Sequence, residues 1–544
     1  MTCWQMKSDK KLGREGAAFW VLFAAMAIYY GWRMFALTPW YDELYTYYCF
    51  ISKGPLYAAL HWPLPNNHVG YSALSGFLNY SGNSYIGLRG VSYLCALANL
   101  YLIYKLAGKW TKGWMPVAAV ILYLSMNIVN QFAVQGRGYT LGVTCFLLAF
   151  LCMTDICCKE HARKRSYLIY VSALVIGLYA VSSNVYWVVP LCISGGVYLL
   201  FLSINEGKEE KRFFLKTDSG RKLLKLIAAS VIAAVLTVLL YCTIWLAIGS
   251  NLLVKDETSI YYGLGHIKMI LKSPFAAIGR GMKYMLDTPY IQSEERAGFV
   301  GRLGSFLVAL SGYYYSFLAI PVVMIFGIGL IALLLLIIKK LLERETKEIL
   351  PELFLFFEIL FVPVCLLIQC KRPYYRVFTY GGAVLALLIT WLVGHWLRKL
   401  VLKSKGGLTE NGLSFIFLVL TAVFGIKCIF FSGYNNQYGD REHEIQQVLE
   451  QADIHQGGNY CVTDCNQEYL LYFLYGIRCE NKQIEGSDMV IFDKRMTDPE
   501  FDEMVWEFYH YYNSIPWEYV NENMSMTYES ENYILFQADE KEIE

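Results

Sequence analysis

The sequence predicts an α-helical polytopic membrane protein that ends in a small α/β domain. Apolar runs of the length that crosses a bilayer recur along most of the chain. The residues are 56% hydrophobic and 17% charged with positive mean hydropathy, which excludes an ordinary soluble domain. The net charge of +2 hides a division: from Gly433 onward there are 6 Lys+Arg against 24 Asp+Glu, a balance of −18, and the preceding part carries +20. The chain therefore divides into a basic membrane domain, 1–432, and an acidic soluble domain, 433–544. That acidity argues against nucleic acid as a partner of the tail.

Spans are expected near 17–37, 84–106, 114–133, 139–157, 167–181, 184–203, 226–249, 314–338, 350–370, 375–397 and 413–432, about eleven by hydropathy. The first run is too long, and too poorly followed by small residues, for a cleaved signal peptide, so it is expected to stay as a signal anchor. Segments 43–60 and 68–80 are expected as helices lying on the membrane surface. Placing the basic N-terminus (Lys7, Lys10, Lys11, Arg14) in the cytoplasm puts every strongly basic short loop on the same side: Lys105/Lys109/Lys112, 159–165, 204–225, Lys339/Lys340 and Arg398/Lys399/Lys403. The outer face then receives 38–83, the turn 135–139, 182–184, the loop 250–304, the turn 371–376 and the acidic tail. In that tail, strand-like runs (Tyr460–Thr463, Met489–Asp493, Tyr533–Gln537) alternate with helix-like ones (466–475, 499–512), the pattern of a small α/β domain. Cys461, Cys465 and Cys479 could supply one disulfide with one left over. The other cysteines lie mostly in apolar runs, and no zinc-like pair of CxxC motifs occurs.

Chemistry gathers on the outer side. Asp42 and Glu43 open a surface helix directly after the first span and point about 100° apart, so they do not share one target. One can face a cavity while the other caps a helix or meets headgroups. Arg137 sits between Gly136 and Gly138 in a turn of a few residues, on the side where the positive-inside rule disfavours it. The glycines leave room for backbone to approach a ligand. Lys371, Arg372 and Arg376 repeat the anomaly, three cations in six residues. Snorkelling to lipid phosphates is the plain explanation. The sharper one is that these cations hold the phosphate of a lipid-linked substrate. His68 precedes a short segment, and a lone His near an interface is more often structural than functional. His266 and Asp287 carry no metal-ligand spacing, and no convincing metal site is found. Neither a P-loop nor a Rossmann glycine fingerprint occurs, so no nucleotide site is supported.

This inventory suggests a reaction. A sugar on a polyprenyl phosphate departs with a phosphate leaving group that needs cations rather than a general acid. The acceptor hydroxyl needs one base in line behind the anomeric carbon, unlike the two-carboxylate arrangement of glycoside hydrolysis. The chain resembles the polytopic, polyprenyl-phosphate-dependent glycosyltransferases of GT-C type, which include protein O-mannosyltransferases and the lipid A aminoarabinose transferase. The resemblance lies in Asp42-Glu43, the His68 region, Tyr85-Ile-Gly-Leu-Arg-Gly-Val-Ser92, the Gln135-Gly-Arg-Gly-Tyr139 turn and Lys371-Arg-Pro-Tyr-Tyr-Arg376. It is strongest over 38–160. It implies Asp42 as the catalytic base with Glu43 beside it. It also implies His68, Arg137, Tyr139, Lys371, Arg372 and Arg376 as substrate contacts, no cofactor beyond the lipid-linked donor, and an inverting transfer at the outer face of a cell membrane. Its partners would be a lipid-linked sugar and a glycan, lipid or protein acceptor. Two features depart from the family. His68 is followed by Val69-Gly70 rather than two prolines, and Pro373 interrupts the late basic turn. A flippase of lipid-linked sugars would predict inverted repeats and mid-span ionisable residues, of which Glu358 is one. A polysaccharide polymerase or ligase would rely on a large Arg-rich outer loop. A structural or sensor protein would leave the outer cations unexplained.

Overall fold

The computed structural model describes residues 13–61, 67–160, 162–253, 266–287, 293–403, 409–431, 438–479, 482–501 and 512–539. Lys7, Lys10, Lys11, the 432/433 boundary and most of the 499–512 run lie outside these residues, as do the side chains of His266 and Asp287. Helix α1 (Arg14–Ala36) leads to three short helices, α2 (Tyr41–Cys49), α3 (Pro55–Leu60) and α4 (Val69–Leu78). None of these three is long enough to cross a bilayer. Then follow α5 (Ser84–Trp110), α6 (Met115–Leu124), α7 (Asn127–Val134), α8 (Tyr139–Cys158), α9 (Lys164–Ala180), α10 (Val185–Glu210) and α11 (Asp218–Leu253). After α12 (His266–Lys272) and α13 (Pro274–Asp287) come α14 (Phe299–Tyr314), α15 (Ala319–Leu342), α16 (Leu350–Gln369), α17 (Gly381–Lys403) and α18 (Glu410–Phe431). Among the described residues nine helices are long and apolar enough to span, or ten if α6 and α7 count as one bent span. The expected span 167–181 corresponds to α9, whose 17 residues sit at the short end of the crossing range.

Two expectations change. The span expected at 114–133 is broken, with α6 and α7 meeting at 74°. The polar run Ser125-Met-Asn127 supplies the break. Asn130 Nδ2 donates to the carbonyls of Leu124 and Met126, Ser125 Oγ donates to Leu122 O, and Arg33 donates to Asn130 O at 2.7 Å. The Leu122 and Leu124 carbonyls, at the end of α6, are thus met by side chains. In addition, the outer loop expected over 250–304 contains α12, α13 and the start of α14. The span expected at 314–338 begins only at Ala319, because α14 is a separate 16-residue helix packed beside α15 and α16.

The two ends of the bundle differ as the charge pattern predicts. At one end Lys109 and Lys159 both bind Asp155, Lys222 donates to Lys159 O, and Arg398 reaches Trp110 O and Glu410. At the other end lie α2, the 135–139 turn, the 371–376 turn and the tail. α8 is the central post, with 78% of its apolar window buried against 28% for α1.

The tail is an α/β unit. Helices α19 (Asp440–Leu449) and α20 (Cys465–Tyr475) pack with a four-stranded sheet, order β1-β2-β4-β3. Strands β1 (Tyr460–Val462) and β2 (Met489–Asp493) are parallel, joined through α20. The last two strands, β3 (Met524–Glu529) and β4 (Tyr533–Ala538), form an antiparallel hairpin, with α21 (Trp517–Asn523) before it. Strand β3 has no counterpart in the sequence reading. It is an edge strand with only Met524 buried, so it lacks the alternation that betrays a half-buried strand. No disulfide joins Cys461, Cys465 and Cys479, so the one considered among them is not formed. The tail sits on α2: Tyr48 Oη donates to Glu468 Oε1 at 2.7 Å, Thr38 Oγ1 donates to Gln446 Oε1 at 2.7 Å, and the Tyr47 ring packs edge-on to Phe473.

Asp464 caps α20, accepting from Asn466 N and Gln467 N, and pairs with Arg441 at 3.0 Å. Asp464→Ala should lower the stability of the tail by about 1–2 kcal/mol, as loss of a helix cap does. Thermal unfolding of the full chain followed by tail fluorescence measures it.

Candidate active site

The first turn of α2 sends its two acids apart. Glu43 is fully buried. Its carboxylate takes a bidentate fork from Arg89 of α5, at 2.8 and 2.9 Å, and also accepts from Trp40 N at 3.0 Å and Gly136 N at 2.6 Å. Arg89 uses its remaining donors on Met34 O, Leu37 O and Thr38 O, the orphan carbonyls where α1 ends. One ion pair therefore fixes the end of α1, the start of α2, one face of α5 and the 135–138 turn. Arg89 lies within a motif quoted from the sequence but was not singled out there as a site residue. The available signal was its place in the first turns of a spanning helix, where a charge demands a partner.

Asp42 remains part-exposed. Its Oδ2 lies 2.6 Å from Arg376 Nη1, and the Arg376 guanidinium stacks over Tyr374. Arg137 reaches back under the same helix, donating to Asp42 O at 3.2 Å and to Thr46 Oγ1 at 2.7 Å. Its Nη2 is 3.3 Å from His68 Nε2, while Gly138 N donates to His68 Nδ1 at 2.9 Å. The ring of His68 stands edge-on to Tyr139. Both imidazole nitrogens face donors, so the ring has no acceptor to welcome a second proton. Burial, then Arg137 and Arg376, hold its pKa well below the usual imidazole range.

The structure thus brings Asp42, Glu43, His68, Arg137, Tyr139 and Arg376 together at one end of the bundle. Arg372 turns elsewhere: it pairs with Glu294, which also binds Arg302 at 2.8 Å. Lys371 is half-buried and joins no ion pair among the described residues. The glycines beside Arg137 serve packing rather than open space. A β-carbon at Gly136 would stand 2.5 Å from Leu88 Cδ1, and one at Gly138 2.9 Å from Val181. Among the described residues no three His, Cys, Asp or Glu side chains are placed to hold a metal ion.

No protein-family model and no curated protein matches the chain. Among the solved structures that resemble it are two oligosaccharyltransferases. One is the archaeal oligosaccharyltransferase AglB from Archaeoglobus fulgidus in complex with an inhibitory peptide and a dolichol-phosphate (10% identity, TM-score 0.45), over 84% of this chain and 63% of that one. The other is the Archaeoglobus fulgidus oligosaccharyltransferase tethered to an acceptor peptide containing the NVT sequon (10% identity, TM-score 0.41), over 88% and 69%. The chain spans less than two thirds of the first structure's length. A likeness of this depth leaves the site itself to decide what the chain does.

Two outcomes follow from the geometry. Glu43→Ala strands Arg89 in the interior and should cost about 3–5 kcal/mol, whereas Asp42→Asn should leave the unfolding temperature nearly unchanged. Thermal unfolding of the two variants side by side checks this. His68 binds a proton more readily unfolded, near pH 6.5, than folded. Its contribution is therefore full above that value and is lost as pH falls towards the folded pKa. Between pH 7.5 and 5, wild type should lose more stability than His68→Gln.

Proposed function

We propose that the chain is a membrane glycosyltransferase that moves a hexose or pentose from a polyprenyl-phosphate-linked donor to an acceptor hydroxyl on a glycan, lipid or protein. The observation that carries this reading is the 2.6 Å pair between part-exposed Asp42 and Arg376, set beside Arg137 and a neutral His68. Two guanidiniums near one carboxylate suit a donor whose leaving group is an anion. In the resting site Asp42 occupies Arg376. The donor phosphate would take Arg376, with Arg137 beside it, and so release the Asp42 carboxylate. The acceptor oxygen then attacks the anomeric carbon, its proton passes to Asp42, and the bond to the carrier breaks with its electron pair leaving on the phosphate. Attack opposite that bond inverts the anomeric centre. His68 and Tyr139 shape the floor of the site. Lys371 and Arg372 extend the cationic turn, with Arg372 held in reserve by Glu294. Glu43 is a positioning residue, since its oxygens are spent on Arg89, Trp40 and Gly136.

In this reading the site faces outside the cytoplasm, with the N-terminus inside and residues 433–544 forming an outer domain. Support comes from the basic loops, which gather at the end of the bundle opposite the site. An outer site is where lipid carriers present sugars without nucleotides, in keeping with the missing nucleotide motifs.

Turnover of a polyprenyl-phosphate-sugar by purified wild type and Asp42→Asn is the deciding measurement. Loss of a general base should lower turnover by about 10²- to 10⁴-fold with donor binding retained. Full activity in the variant would remove Asp42 from the role. Arg376→Ala should instead weaken donor binding about tenfold or more, the scale of a charge-assisted contact to phosphate. Wild type that carries labelled lipid across vesicles and releases no sugar would place the chain among transporters.

A further inference from the structure

A cavity of about 220 Å³ lies between α14, α15, α16 and α17. None of Asp42, His68, Arg137 or Arg376 lines it. Its walls are mostly apolar, with Leu310, Phe326, Leu330 and Val384 among them; Glu358 is the one carboxyl, and Ser311, Tyr314 and Tyr380 bring hydroxyls. Glu358 is the ninth residue of the twenty in α16, near the middle of the span, and is 2% exposed. Both of its carboxyl oxygens are buried without a hydrogen-bond partner. The two tyrosines of the cavity wall have committed their hydroxyl protons elsewhere, Tyr314 to Phe378 O and Tyr380 to Tyr186 O.

An unmet carboxyl in an apolar wall is unfavourable, and folded proteins almost always supply a partner. Water would reach the carboxyl, with the hydroxyls of Ser311, Tyr314 and Tyr380 on the same wall, but would leave the apolar volume unfilled. A molecule with an apolar body and one donor group answers both demands. We propose that the cavity binds a membrane-dissolved amphiphile whose single hydroxyl or amine donates to Glu358 while its hydrocarbon fills the space towards Gly327. A β-carbon added at Gly327 would meet nothing within 4 Å, so the glycine faces open volume. Scaling from the cavity of ~150 Å³ that holds benzene gives room for roughly nine heavy atoms. The site stands whether or not the chain transfers sugars, because it shares no residue with the Asp42 cluster.

The test uses the full chain in lipid nanodiscs with dicyclohexylcarbodiimide, an apolar reagent that labels membrane carboxyls, read by peptide mass. Glu358 should be labelled, and Glu358→Gln should lose that label. Either 1-octanol or octylamine should slow labelling about fivefold, the worth of one net hydrogen bond. The stronger of the two identifies the donor as alcohol or amine. Nonane at the same membrane concentration should not protect. Gly327→Leu, which keeps Glu358 in place and fills the volume, should abolish protection. An unlabelled Glu358, equal protection by nonane, or no protection by either donor would overturn the proposal.

Discussion

The buried Glu43–Arg89 pair holds together the end of the bundle that carries the candidate site. Each member is almost wholly removed from water, and each is saturated by partners from other elements. A buried ion pair contributes little net stability compared with a well-packed apolar pair, but breaking it is costly. Its value here is geometric. With all its hydrogen bonds in use, the pair admits a single arrangement of the end of α1, the start of α2 and the turn that carries Arg137. Neighbouring residues in the sequence thus have opposite fates: Glu43 is locked so that Asp42 can stand free beside a cation.

Charge around Asp42 is distributed to the same end. Burial, Arg137 and Arg376 keep His68 neutral, so it adds no third positive charge beside Asp42. Arg372 is neutralised by Glu294 at the edge. What remains near the carboxylate is the pair Arg376 and Arg137, and the latter is tied to the backbone of Asp42 and to Thr46. The tail braces α2 from its other side through Tyr48, Tyr47 and Thr38, so both faces of the helix that presents Asp42 are packed.

Much of this was legible in the sequence because it rests on local signals. Apolar runs marked the spans, and Lys/Arg in short loops sorted the two ends. Cations in short turns singled out Arg137, Lys371, Arg372 and Arg376, of which Arg137 and Arg376 lie beside Asp42. Other features rest on long-range pairing that spacing does not encode. That Glu43 would meet Arg89, 46 residues away, depends on how α2 folds back over α5. The bend between α6 and α7 depends on Asn130 and Ser125 meeting the carbonyls at the end of α6, inside a segment whose average hydropathy still reads as one span. Glycines 136 and 138 were assigned to a ligand, but they accommodate Leu88 and Val181, which no local pattern reveals. Strand β3 was missed because an exposed edge carries little alternation.

The bend also sets a depth. At 74° to α6, the eight residues of α7 rise about 12 Å along their own axis but only about 3 Å along that of α6. The turn that follows is therefore recessed by about 9 Å, some one and a half helical pitches, relative to a straight continuation. The break in a single helix thereby sets how far along the bundle the turn carrying Arg137 lies.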